Sequence, residues 1–213
     1  MIRNIGLEFE NLKREELRAA VEVMVNGFES YDYFTLFFPE REERMKAIRD
    51  LNICSLRTIL GKTRCMVAKQ NGKIVALAIV DPPGYSVPSM LQYVLHGALL
   101  LFVKHPMHCI NDWLTMDEKA SRTCHDYQKR TPDVWYLSSF VVDPSVQGLG
   151  IGSHFLAYLE ESIRAQCGKQ FILFTNSKEN LAYYSKRGYE VFHSEEIVYE
   201  GKAMGSWSMR KSL

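Results

Sequence analysis

The chain has 213 residues, 46% of them hydrophobic, with 26 Lys and Arg against 25 Asp and Glu for a formal net charge of +1. That balance, without a basic stripe, argues against a nucleic-acid partner; the longest apolar run, Val94 to Val103, broken by His96 and Gly97, is far short of the about 20 residues a bilayer crossing needs, so no membrane partner is expected. Five cysteines without a Cys-x-x-Cys pair, and a Met1-Ile2-Arg3-Asn4 start without an apolar leader, predict a reduced, cytoplasmic, single-domain protein over residues 1–213.

In chain order, residues 7–10 read as a short strand. Leu17, Ala20, Val21, Met24, Val25 and Phe28 recur on one face at helical spacing, which predicts an amphipathic helix over 12–29. An aromatic cluster of Tyr31, Tyr33, Phe34, Phe37 and Phe38 occupies the connection to a second helix over 40–60. Gly61 ends that helix in the position that favours a left-handed residue. Apolar runs at 65–69 and 73–80 flank Gln70-Asn71-Gly72, and Asn-Gly in such a place predicts a hairpin. Asp81-Pro82-Pro83-Gly84 then breaks the pattern, and 85–130 reads as a helical insertion with a break at Pro106. A nearly continuous apolar strand over 134–142 leads into a helix over 150–166, whose inner face is Ile151, Phe155, Leu156, Leu159 and Ile163. Residues 171–174 form a strand covered on both faces. A short helix over 180–186, stopped by Gly188, and two strands near 189–198 and 205–211 complete the chain. The order describes an α/β fold with one mixed sheet, in which 134–174 is a parallel strand–helix–strand crossover.

The stretch with most chemical content joins the strand at 134–142 to the helix after it, and ends in Gln147-Gly148-Leu149-Gly150-Ile151-Gly152. Glycines there let the backbone come close to a ligand. The first amides of the helix lack internal partners, and the helix dipole adds positive potential. Together these bind phosphate without a charged side chain, which predicts a pyrophosphate-bearing cofactor. A dinucleotide-binding fold would want Gly-x-Gly-x-x-Gly and an acidic residue closing the next strand; here that strand runs into Asn176. No Gly-Lys-Ser/Thr follows to make a Walker loop. The same turn also suits a tight strand-to-helix connection with no ligand.

Gln147-x-x-Gly150-x-Gly152, followed by Asn180-Leu181-Ala182-Tyr183-Tyr184-Ser185-Lys186-Arg187-Gly188-Tyr189, resembles the two signatures of the GNAT superfamily of acyl-CoA-dependent N-acyltransferases. Those are Arg/Gln-x-x-Gly-x-Gly/Ala and Asn…Phe/Leu-Tyr-x-Lys-x-Gly-Phe. The likeness covers residue 64 to the carboxyl terminus, interrupted by the insertion. Trp135-Tyr136-Leu137, the glycine turn through Ser153, and Gly205-Ser206-Trp207-Ser208-Met209-Arg210 look like the puromycin N-acetyltransferase-like branch, whose acceptors are small-molecule amines. The resemblance implies a mixed, mostly antiparallel twisted sheet of about six or seven strands flanked by helices. It implies acetyl-CoA as co-substrate, no metal, and an enzyme that acetylates a primary amine by direct attack in a ternary complex. Cys65 and Cys167 lie outside any nucleophile context. The expected assembly is a monomer or homodimer.

By the same resemblance, the pyrophosphate of coenzyme A sits on the amides of Gln147, Gly148, Leu149, Gly150, Ile151 and Gly152. The pantetheine arm lies along Phe140, Val141 and Val142 like an added strand. Amides there would hold the thioester carbonyl and stabilise the negative charge that develops on it. Tyr184 matches the family tyrosine that acts as general acid; a phenol near pKa 10 can protonate a leaving thiolate whose ordinary value is about 8.5. Asn180 matches a cofactor-contacting Asn and would also serve as a helix N-cap. The strand offers Ser138 and Ser139 where many family members carry a basic Glu. Glu29, Asp32, or a water held by Ser138 are the alternatives.

His105, His108, Cys109, Cys124 and His125 in the insertion are zinc-ligand types, but they lack the matched pairs of structural sites. Tyr85, Met90, Tyr93, Leu95, Leu99, Phe102 and Trp113 suit a pocket wall, and equally a face docked on the core or on a second copy. Two rival readings stand beside the small-molecule enzyme: a protein or peptide N-acetyltransferase, and a non-catalytic acyl-CoA-binding regulatory module.

Overall fold

The structure, a computed structural model, describes residues 6–199 and 202–213. The Met1-Ile2-Arg3-Asn4 start lies outside them. Seven strands form one sheet in the order β1 (Leu7–Asn11), β2 (Arg64–Gln70), β3 (Lys73–Asp81), β4 (Val134–Val142), β5 (Gln170–Thr175), β7 (Lys202–Ser212), β6 (Glu190–Tyr199). Among the strands of the described residues, only the β4–β5 pair is parallel. The mixed, mostly antiparallel sheet is therefore as expected.

The first predicted helix divides. A 3-10 turn, Arg14–Glu16, precedes α1, Leu17–Phe28. The aromatic connection folds into a helix of its own, α2, Asp32–Phe37, ahead of α3, Arg41–Ile59. Asn71, at φ 52, turns the predicted hairpin, in which Gln70 faces Lys73. The insertion holds α4 (Met90–Leu95), α5 (Ala98–Lys104) and the long α6 (Met107–Arg130). Pro106 is the N-cap of α6 and so begins a helix as well as ending one. Proline is tolerated there because a first-turn amide has no helical partner to lose. The last two helices are α7, Ile151–Arg164, and α8, Lys178–Ser185.

Period-two alternation sorts the sheet between two cores. Val67, Leu77 and Val141 pack with α1, α2 and α3 on one face. Met66, Ala68, Ala76, Ala78, Trp135 and Leu137 pack on the other face against Ile151, Phe155, Leu156, Leu159 and Ile163 of α7. Each of those five α7 side chains is almost fully buried, and burial of one contributes roughly 1.5–3 kcal/mol. α6 covers a third cluster, Cys124, Val134, Tyr136 and Ile172.

The alternation slips once. Ile79 pairs with Ser139 and Val80 with Leu137, so Ser138 is the extra residue of a β-bulge in β4. Trp135 and Leu137 before it, and Phe140 and Val142 after it, all face α7. Val134 and Tyr136 share a side with Val141 only because of the bulge. The outer face of the insertion stays apolar: Met90, Leu91, Leu95, Leu99 and Val103 are exposed. Among the described residues, no helix is long and apolar enough to cross a membrane.

Candidate active site

β4 and β5 pair only from Val134↔Gln170 to Leu137↔Leu173. Beyond the bulge the two strands part, while β4 stays on β3 as far as Ala76↔Val142. A strand residue points its N–H and C=O to the same side, and the side alternates. The Asp143 N–H bonds Val75 O at 2.9 Å, so Val141 and Ser139 also turn their backbone to β3. The backbone groups of Phe140 and Val142 consequently face the gap. Val141, predicted among the strand contacts, lines the gap, but its backbone belongs to β3 and its side chain is buried against α1.

The gap opens into a cleft of about 790 Å³ that runs from the glycine turn to the inserted helix α6. At the turn, Asp143 caps a 3-10 segment by accepting from the Ser145 N–H. The Gln147 side chain donates from Nε2 to Val142 O at 3.1 Å, tying the turn to the end of β4. Gly150 is the N-cap of α7 with φ 84, a left-handed value that a side chain resists. Gly152 answers a different need: a Cβ there would lie 3.3 Å from both Tyr183 Oη and Val142 Cγ2. Gln147, Gly148, Gly150, Ile151 and Gly152 line the cleft; Leu149 is exposed and does not.

From the opposite wall, α8 presents Asn180, Tyr183 and Tyr184, with Arg187 just past its end. Ser177 caps α8 by accepting from the Asn180 N–H, so the N-cap role expected of Asn180 falls to Ser177. Asn180 stands in the first turn and lines the cleft. Tyr184 is buried, edge-on to Tyr183 and Tyr189 at 5.1 and 5.5 Å between centroids. Its hydroxyl makes no hydrogen bond to any described residue. Burial pushes its pKa far above the ordinary phenol value, so it stays protonated. Arg187 stacks 3.6 Å over the Tyr183 ring, donates to Tyr183 O at 2.8 Å and reaches the Ser153 hydroxyl. No carboxylate neutralises it among the described residues.

The far end of the cleft is acidic and aromatic. Asp81 closes β3 and is 3% exposed. Thr63 donates to its Oδ1 at 2.6 Å. Burial raises its carboxyl to about 6, against the opposing pull of the Thr63 and Ser138 hydroxyls. Asp117, on α6, is also raised to about 6 by burial alone. His125, edge-on to Tyr136 at 5.2 Å, has its pKa lowered, first by burial.

Of the predicted bases, Glu29 pairs with Arg41 at the surface, and neither it nor Asp32 lines the cleft. The Arg41 hydrogen bond holds Glu29 below its ordinary value. Ser138 does line the cleft, at the bulge. Asp81 and Asp117 were not singled out in the sequence, although both interrupt apolar patterns: Asp81 ends an apolar strand run, and Asp117 follows Trp113 by one helical turn. The aromatic candidates separate: Tyr31, Tyr33, Phe34, Tyr85, Tyr93 and Trp113 line the cleft. Phe37 and Phe38 are core, and Met90, Leu95 and Leu99 face outward. The histidines and cysteines of the insertion disperse: His105 bonds Asp50 at 3.0 Å, and Cys124 is fully buried. Among the described residues no three metal-ligand side chains come together.

The family model described as Acetyltransferase (GNAT) family matches residues 28–189. No curated protein sequence matches the chain. Among solved structures, the chain resembles a histone acetyltransferase HPA2 and related acetyltransferase from Corynebacterium glutamicum, with a TM-score of 0.62 at 18% identity, over 97% of this chain and 96% of that one. The ribosomal-protein-S18-alanine N-acetyltransferase from Escherichia coli gives 0.57 at 13% identity, over 97% and 93%. The PaiA N-acetyltransferase from Thermoplasma acidophilum, in complex with coenzyme A, gives 0.55 at 12% identity, over 97% and 99%. At these identities the likeness is one of fold.

Proposed function

The chain belongs to the acetyltransferase (GNAT) family, and from that premise we propose that it transfers an acetyl group from acetyl-CoA to a primary amine of a small molecule, by direct attack in a ternary complex. The observation that carries this is the parting of β4 from β5 beside the glycine turn. It leaves a strand edge with no strand beside it, its Val142 carbonyl held by the Gln147 side chain, and a helix N-terminus facing one cleft. The residues suit coenzyme A: the amides of the 147–152 turn for its pyrophosphate, Phe140 and Val142 for its pantetheine arm, Asn180 beside that arm, and Arg187 as a nearby cation.

Acetyl-CoA, when bound, supplies the activated acyl group. The amides of Phe140 and Val142, turned from β3, stabilise charge on the carbonyl oxygen. Asp81 takes the proton of the acceptor ammonium, directly or through a water at Ser138. Once Asp81 has passed that proton to solvent, a nitrogen–carbon bond forms as the carbon–sulfur bond breaks; Tyr184 gives its phenol proton to the sulfur, and the second proton shed by the acylated nitrogen returns through water to restore the phenol. The motifs shared with the puromycin N-acetyltransferase-like branch support a small-molecule acceptor, as does the cleft end walled by Trp113, Tyr93 and Tyr33. Cys54, Cys65, Cys124 and Cys167 are free thiols, which suits a cytoplasmic location.

Thiol release from acetyl-CoA, followed across amines and peptides with the full chain, tests this reading. Turnover on small amines is the expected outcome. Turnover on peptides alone sinks the small-molecule acceptor, and calorimetric binding of acetyl-CoA with no turnover on either sinks catalysis.

A further inference from the structure

The acceptor end of the cleft holds more unmet polar groups than one amine requires. Trp113, Asp117, Ser121 and His125 recur every fourth residue along α6 and line the cavity together. The Asp117 carboxylate has no hydrogen-bond or ion-pair partner among the described residues. Tyr136 is 1% exposed and lines the same cavity, yet its hydroxyl bonds no described residue. Buried polar groups in folded proteins are as a rule hydrogen-bonded. The buried Tyr136 phenol, with the half-buried Asp117 carboxylate beside it on the same cavity, therefore points to a partner from outside the chain.

The charge distribution says which kind. The ionised side chains that line the cleft are Asp81, Asp117 and Arg187. Arg187 is committed to the cofactor end by Tyr183 and Ser153. His125 is biased toward its neutral form by burial. Among the described residues no lysine lines the cleft, whereas Tyr33, Tyr93 and Tyr136 all lie within the electrostatic reach of Asp117. Tyr93 and Tyr136 also feel Asp81, so both carboxylates act on the same two rings. A carboxylate among aromatic rings favours an ammonium group.

One reacting amine uses one carboxylate, and Asp81, beside the Ser138 bulge, is that one. We infer that Asp117 binds a second ammonium group of the acceptor, so that the substrate is a diamine or polyamine held at both ends of the chamber, with one nitrogen near Asp81 and the other on Asp117. This rests on the N-acetyltransferase reading. Two-point attachment would select acceptor length and present a single nitrogen for transfer.

The test compares α,ω-diaminoalkanes with n-alkylamines of matched chain length, using the full chain and saturating acetyl-CoA. The wild type should prefer the diamines by about tenfold or more in kcat/KM, the size of one charge-assisted contact. Asp117→Asn should raise KM for diamines about tenfold more than for alkylamines, with kcat for diamines within about twofold. Tyr136→Phe, which keeps the ring, should erode the same preference. Diamines no better than alkylamines, or a preference that survives Asp117→Asn and Asp117→Ala in folded protein, overturns the second-ammonium site while acetyl transfer stands. Absence of turnover on every amine, with acetyl-CoA still bound, removes the transferase reading and this inference with it.

Discussion

Tyr184 and Asp81 sit on opposite walls of one cleft, and burial acts on both in the same direction with opposite consequences. It keeps the phenol protonated, as a hydrogen-bond donor to the leaving sulfur must be, and at the same time makes it a weaker acid. It raises the carboxyl to about 6, which suits an acceptor working near neutrality. Tyr184→Phe should lower kcat by roughly 10²–10⁴-fold, the usual worth of a positioned proton donor, while acetyl-CoA affinity by calorimetry stays within about twofold. An unchanged kcat would make Tyr184 a packing residue. For Asp81 the base form dominates above about 6, so kcat/KM should fall as pH drops through that value. Asp81→Asn should be slow at every pH and lack that limb. Tyr184 was legible in the sequence because its motif is contiguous. Asp81 was not, because its role comes from a bulge in a strand distant in sequence.

At the scale of elements, the close contacts of α1, β4 and α7 hold the cleft open. Gly27 of α1 lies over β4: a Cβ there would come within 2.1 Å of Val141 Cγ2. Gly27→Ala therefore overpacks the helix–sheet interface and should destabilise the fold by about 1–3 kcal/mol, read as a lower denaturant midpoint. A midpoint equal to wild type would mean that α1 does not depend on this approach. Gly150→Ala acts differently. It asks a side chain to adopt φ 84, costing about 1–2 kcal/mol of local strain, and should weaken coenzyme A binding more than it weakens the fold. The amphipathic pattern located α1, α3 and α7 well. It did not separate the 3-10 turn from α1, because the apolar face runs through both, and it passed over α2, whose six residues are too few to show a period.

Across the whole molecule, the cleft is polarised, with Arg187 at one end and two carboxylates at the other. Holding carboxylates in a buried wall has a stability cost whose sign can be worked out. Asp81 is raised from 3.8 to about 6 on folding, so the native state binds its proton more tightly than the unfolded chain does. The penalty is absent below about pH 4, grows between pH 4 and 6, and is constant above. Asp81→Asn should therefore be more stable than wild type at about pH 8, by up to roughly 3 kcal/mol, and equal to it near pH 4. Thermal unfolding of both proteins across that range reads the difference directly. A stability gap that does not close on acidification would show that the carboxylate is not strained by burial. Glu10, Glu16 and Glu29, all lowered by basic partners, work in the reverse sense and are common to both proteins.

What could be read from residues alone was the order of elements, the mixed sheet and the glycine turn at a helix start. Each is written locally: apolar period, a hairpin Asn-Gly, glycines at a helix start whose unpaired amides follow from backbone geometry. The acceptor chamber is different. Asp81 comes from β3, Tyr136 from β4 and Asp117 from α6, and each taken singly resembles an ordinary strand end, core aromatic or surface carboxylate. They became one site only when the bulge at Ser138 let β4 part from β5 and α6 closed across the opening, because side chains far apart in the chain share a solvent-poor space only after the sheet has brought them together.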